Sequence, residues 1–182
     1  MKLGIETEAY HLLFQTKRMD IFGFIEQAWK LGLDGVEINI IPDHNLHPEF
    51  GVLDGDDPVY LARVKEAIQF RNLYCELDAR LTDEVSLTRA INIAKGIGAD
   101  VIRTYINVNE FDPALMKKAI TDVKKIVPLL RKNRIKLAIE NHEDETADEI
   151  IAVVKGVDSI WVGAHCDVGN THDGVGRTRR SR

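Results

Sequence analysis

No apolar run in the sequence approaches the ~18–20 residues that a membrane-spanning helix needs. The N-terminal stretch from Met1 to Glu6 lacks the long apolar segment and small-residue cleavage site of a secretory signal. Cysteine is scarce. Cys75 and Cys166 have no CxxC spacing, so both are expected to be small buried hydrophobes in a reducing compartment. Phosphate-loop, dinucleotide-binding, zinc-finger and nucleophilic-serine patterns are absent, and Lys95-Gly96-Ile97-Gly98 reads as a helix end rather than a phosphate cradle. Positive charge is in deficit, with a net charge of −5, which argues against broad nucleic-acid binding. The exception is the C-terminus, where Arg177, Arg179, Arg180 and Arg182 crowd the last six residues. These absences predict a cytoplasmic protein that engages neither membrane nor nucleic acid.

What is present is a chain of 182 residues, 45% hydrophobic, long enough to bury a sizeable core without metal or disulfide staples. Strand-like and helix-like segments alternate along it, the pattern of a parallel sheet covered by helices. Strands are predicted at Lys2–Glu6, Val36–Ile40, Tyr74–Asp78, Asp100–Ile106, Ile135–Glu140 and Ile160–Cys166. Between them the apolar residues recur at helical spacing, as in Ile21, Phe24, Ile25, Ala28 and Leu31. Asp20 is placed to cap that helix, Pro58 to open the next and Gly98 to end a third. The weak echo between Lys30–Val36 and Lys95–Val101, each a helix end running into a strand, is what repeated βα units predict. The expected fold class is α/β, an incomplete TIM (β/α)8-type barrel with about six βα units, occupying residues 1–171. Residues 172–182 are expected to be a basic tail, non-native or disordered.

Barrel active sites gather at the C-terminal ends of the strands. Those positions offer Glu6, Glu37, Glu76, Asp78, Arg103, then Glu140-Asn141-His142-Glu143 and Asp167-Val168-Gly169-Asn170. Charges on strands that ought to be buried need partners, and a shared divalent cation satisfies several carboxylates at once. Glu140 and Asp167 are the best pair, since each directly follows an apolar strand. Such a site suits Mn²⁺, Mg²⁺, Co²⁺ or Zn²⁺. Either acid serves equally well as a cap for the helix or loop that follows. His142 reads as a ligand-contacting residue or a solvated loop histidine, and His44 and His47 as pocket-mouth or surface-turn residues. His165 reads as a hydrogen-bonded core residue, while His11 and Tyr10 lie close to the first strand end.

The stretches Phe24–Ile38, Ile93–Arg103, Ile135–Glu143 and Val162–Asn170 resemble the sugar phosphate isomerase/epimerase family, part of the xylose isomerase-like barrels. The resemblance spans about residues 1 to 171 and implies a divalent metal held by four side chains. Glu140 and Asp167 match the strand-five and strand-six ligands, while the His and Glu of strands seven and eight have no counterpart. It further implies Glu140 as an acid–base catalyst and an enediolate stabilised by the metal. Arg103, His142, Asn170 and Glu37 are then candidates for binding a small sugar or sugar phosphate. Asn170 stands where several relatives place a histidine.

The expected activity is therefore metal-dependent isomerisation or epimerisation, impaired because half the ligand set is missing. Open edges at strands one and six are expected to favour association, including a homo-oligomer. The alternatives are a non-catalytic barrel fragment or binding module, and an endonuclease IV-like phosphodiesterase. The latter needs a histidine-rich site and a basic face that this acidic body lacks. Codons can be chosen for His172 to Arg182 that, reread one base over, give Met-Met-Val-Trp-Glu-Glu-Pro-Val-Glu-Ala, a plausible family continuation.

Overall fold

The computed structural model describes residues 1–40, 53, 56–106, 113–142 and 145–170. The expectations for His44, His47, Glu143 and the tail at 172–182 fall outside these residues. Six parallel strands form one sheet in sequence order: β1 (Gly4–Glu6), β2 (Gly35–Asn39), β3 (Tyr74–Asp78), β4 (Val101–Thr104), β5 (Lys136–Glu140) and β6 (Val162–His165). Each lies within a residue or two of its predicted range, and β3 coincides with it. Among the described residues β1 and β6 are the outer strands. This is the TIM-barrel-like α/β fold that the alternation predicts.

Six α-helices accompany the strands: α1 (His11–Gln15), α2 (Ile21–Lys30), α3 (Pro58–Phe70), α4 (Glu84–Ile97), α5 (Pro113–Asn133) and α6 (Ala147–Val157). The signals at their ends act as read. The Asp20 carboxylate accepts from the Gly23 N–H at 2.8 Å, and Gly98 closes α4 in the left-handed region at φ 80°, where a Cβ is costly. Thr146 and Glu149 exchange side-chain and backbone hydrogen bonds in a full capping box at the start of α6. A short 3₁₀ turn at Thr7–Tyr10 and α1 fill a stretch for which no helix is predicted. Tyr10 turns away from the strand ends and packs edge-on against Phe24, ring centroids 6.0 Å apart.

Strand alternation divides the sheet into two faces. Val36, Ile38, Leu77, Ile102, Leu137 and Ile139 are all buried in one core with α2–α6. The alternate positions carry Gly35, Glu37, Tyr74, Glu76, Asp78, Arg103 and Glu140. At the lower end of this second face Tyr74 pairs in register with Gly35. Its ring lies so close over Gly35 and Gly4 that a Cβ at either would collide with it. Cys75 is buried as expected, but Cys166 is exposed, because β6 ends at His165 and the chain has already left the sheet. His165 is likewise half-buried rather than a core residue.

Candidate active site

Parallel register brings the polar strand positions side by side. Glu6 pairs with Glu37, which pairs with Glu76. Asp78 pairs with Arg103, and Glu140 with His165. Arg103 is the hub of the resulting cluster, with only 11% of its side chain exposed. Its Nη2 lies 2.8 Å from Glu140 Oε1 and 2.7 Å from Oε2. Its Nη1 makes a close ion pair with Asp78 and lies 3.6 Å from Glu6, while Nε is 3.9 Å from Glu37. Burial works against the guanidinium charge, but Asp78, Glu140 and Glu37 more than offset it and keep Arg103 protonated.

One cation does not satisfy these acids. Burial pushes Glu37 up to about 8 and Asp78 up to about 7, and also raises Glu6. Carboxylate oxygens of Glu6 and Asp78 lie within 4.8 Å of each other, so ionising both is disfavoured. At neutral pH Glu37 is thus largely protonated and able to donate a hydrogen bond. Glu6, Glu37 and Asp78 present carboxylate oxygens within 4.8 Å of one another. Glu140 is fully buried, and its Oε2 meets Arg103 without a well-aligned hydrogen bond; Glu37 Oε1 also lacks one. Buried oxygens of this kind fit a further cation.

Across the cluster, Asp167 follows β6 and its carboxyl comes within hydrogen-bonding reach of Glu140. Burial would raise it, but N–H groups of Gly169 and Asn170 and the Arg103 charge bring it below its ordinary value. Oδ1 accepts from the N–H of Gly169 at 2.7 Å and of Asn170 at 3.3 Å, and Oδ2 accepts from Asn170 Nδ2 at 3.0 Å. Asp167 therefore caps the turn that follows it and faces Glu140 as well. Among the described residues Glu140 caps nothing. Both acids keep spare lone pairs, so the pair fits a divalent ion of the oxygen-preferring kind.

Of the residues singled out by sequence, Glu37, Arg103, Glu140 and Asp167 meet in one place. Asn170 touches Asp167 rather than the open site. The expected substrate contact of Arg103 competes with four carboxylates that already surround it. His142 stacks on Tyr105, ring centroids 3.9 Å apart and planes 10° off parallel. Two contributors carry no expectation of their own. Buried Asn141 clamps Asp167 by donating Nδ2 to its carbonyl and accepting its N–H on Oδ1, both at 2.9 Å. Tyr105 also accepts a hydrogen bond from Arg80. The only sequence signal for Asn141 is its place between Glu140 and His142.

Comparison with known proteins agrees with this fold. The family model described as xylose isomerase-like TIM barrel matches residues 25–179. The 3-oxo-isoapionate decarboxylase of Pectobacterium atrosepticum is 24% identical over 170 residues, covering 93% of this chain and 59% of the relative. Among solved structures, a D-psicose 3-epimerase in the presence of D-fructose superposes with a TM-score of 0.71 at 15% identity, over 94% of this chain and 65% of its own. A D-allulose 3-epimerase from Methylomonas sp. in complex with D-allulose gives 0.70 at 14% identity, over 97% and 65%. The IOLI protein with a binding zinc atom gives 0.65 at 16% identity, over 90% and 62%. The chain thus spans a little under two thirds of the length of these relatives. With its parallel strands, its acids at their C-terminal ends and a family match over most of its length, the chain belongs to the xylose isomerase-like TIM barrel family.

Proposed function

We propose that this chain forms the larger part of a metal-dependent isomerase or epimerase acting on a small sugar or sugar phosphate through an enediolate. The observation that carries the reading is the convergence of Glu140 and Asp167 from adjacent strands, with Glu140 fully buried and short of hydrogen-bond partners. Glu140 and Asp167 would hold the ion, which supplies electrostatic stabilisation of oxyanion charge when bound. Glu140 would move the proton beside the sugar carbonyl. Protonated Glu37 would donate to a sugar oxygen, and Arg103 would keep the acids in position. His142 would border the substrate from the platform of Tyr105. The epimerase structures with D-fructose and D-allulose support sugars of this size. From these 182 residues alone, weak metal binding and low turnover are expected, and association through the edges of β1 and β6 belongs to the same reading.

Titration with Mn²⁺ followed by thermal unfolding tests the site. A ligand that binds only the folded state raises its melting temperature, so a rise that disappears in Glu140→Ala is the expected result. No rise in the parent chain would favour a non-catalytic binding module. Exchange of the carbon-bound hydrogen of D-fructose with deuterated solvent, followed by NMR, reports the proton transfer itself.

A further inference from the structure

Arg80, Tyr105 and His142 each stand two positions beyond an inward-facing strand residue: Asp78, Arg103 and Glu140. All three lie just past the C-terminal ends of neighbouring parallel strands, β3, β4 and β5, so they share the end of the sheet that carries the acids. Buried Tyr105 fixes the other two: Arg80 Nε donates to its hydroxyl, and the His142 ring lies parallel to its own. The charges of Asp78 and Arg103 both act on the same phenol, so the trio borders the acid cluster. Arg80 itself is exposed. Among the described residues no carboxylate comes within ion-pair distance of it, whereas Arg71 is paired with Glu26 and Arg103 with its acids.

A guanidinium held along one edge, with no carboxylate partner among the described residues, offers its remaining N–H groups as a planar fork, which suits a carboxylate or a phosphate. We infer that Arg80, flanked by His142 and anchored by Tyr105, is an anion subsite, and that the substrate is a small sugar bearing a carboxylate or phosphate group. This rests on the sugar-site reading above. The acids beneath repel an anion, so they also set the direction of binding. The charged end lies on Arg80, and the carbonyl and hydroxyl end faces Glu140 and Asp167.

Binding of D-gluconate, D-fructose 6-phosphate and D-fructose to the full chain in Mn²⁺, at matched ionic strength, tests the subsite by calorimetry. At least one charged sugar should bind about tenfold or more tighter than D-fructose, the scale of a charge-assisted contact. The tighter of the two identifies carboxylate or phosphate. Arg80→Gln should abolish the preference while keeping the Mn²⁺-dependent rise in melting temperature, and Arg80→Lys should retain part of it. Equal binding of the three sugars, or a preference that survives Arg80→Gln, overturns the subsite. A Mn²⁺-dependent rise that survives Glu140→Ala, with the anion preference intact, instead overturns the reading of Glu140 as a metal ligand.

Discussion

The two faces of the sheet are held by opposite physics. On the helix side, Val36, Ile38, Leu77, Ile102, Leu137 and Ile139 are buried among apolar neighbours. Each contributes on the order of 1.5–3 kcal/mol by leaving water, in any direction and at any pH. On the other side, Glu6, Glu37, Asp78 and Glu140 surround Arg103. There the cost of desolvating charge largely cancels the attraction between charges. The first face holds the strands in register. The second is thereby free to keep carboxylates close together, which a functional site needs and a folding core does not.

The largest effect should come from the helix side. Phe24→Ala empties a fully buried site in the interface and is expected to lower stability by about 3–5 kcal/mol. Urea unfolding should give the same loss at low and high pH; a pH-dependent loss would mean that the two faces are not independent. Arg103→Met strands its acids, at a cost of about 3 kcal/mol near neutrality. That cost should grow as pH rises, since the acids can then no longer protonate to escape one another.

The parent chain should show a milder form of the same behaviour. Glu37 and Asp78 titrate at about 8 and about 7 when folded, but at ~4.3 and ~3.9 when unfolded. Between those values the folded state binds more protons. Their contribution is therefore complete below about pH 4 and is lost as pH rises through about 7–8. Asp167, lowered in the folded state, acts in the reverse sense and loses its contribution as pH falls below its ordinary range. Thermal midpoints measured from about pH 6 to pH 9 should fall, and Glu37→Gln should flatten the upper part of that fall. A profile unchanged by Glu37→Gln would show that Glu37 is not the titrating group. Smallest of all, Thr146→Ala removes a cap belonging to neither face and should cost about 1 kcal/mol, independent of pH.

Much of this was legible in local pattern. Asp20, Pro58, Gly98 and the strand from Tyr74 to Asp78 all act where spacing places them, because caps and alternation depend on neighbours in sequence. Glu140 and Asp167 stood out since a charge ending an apolar strand must find a partner. The hub role of Arg103 was not legible. It depends on register across five strands, which decides whether a charged residue meets a substrate or its own neighbours. The Arg80–Tyr105–His142 assembly joins three strand ends for the same reason. Cys166 was misplaced because the apolar pattern runs past the end of hydrogen bonding in β6. The turn and helix at 7–15 are too short to carry a helical stripe.

The Tyr74 ring that lies over Gly35 and Gly4 binds three distant positions into one inherited unit. A lineage that keeps tyrosine at 74 can accept nothing larger than glycine at 35, whereas a small residue at 74 would release both glycines at once. Related sequences should therefore change these three columns together. An engineer seeking a passage through the lower end of the barrel would begin with Tyr74→Ala and only afterwards diversify positions 4 and 35.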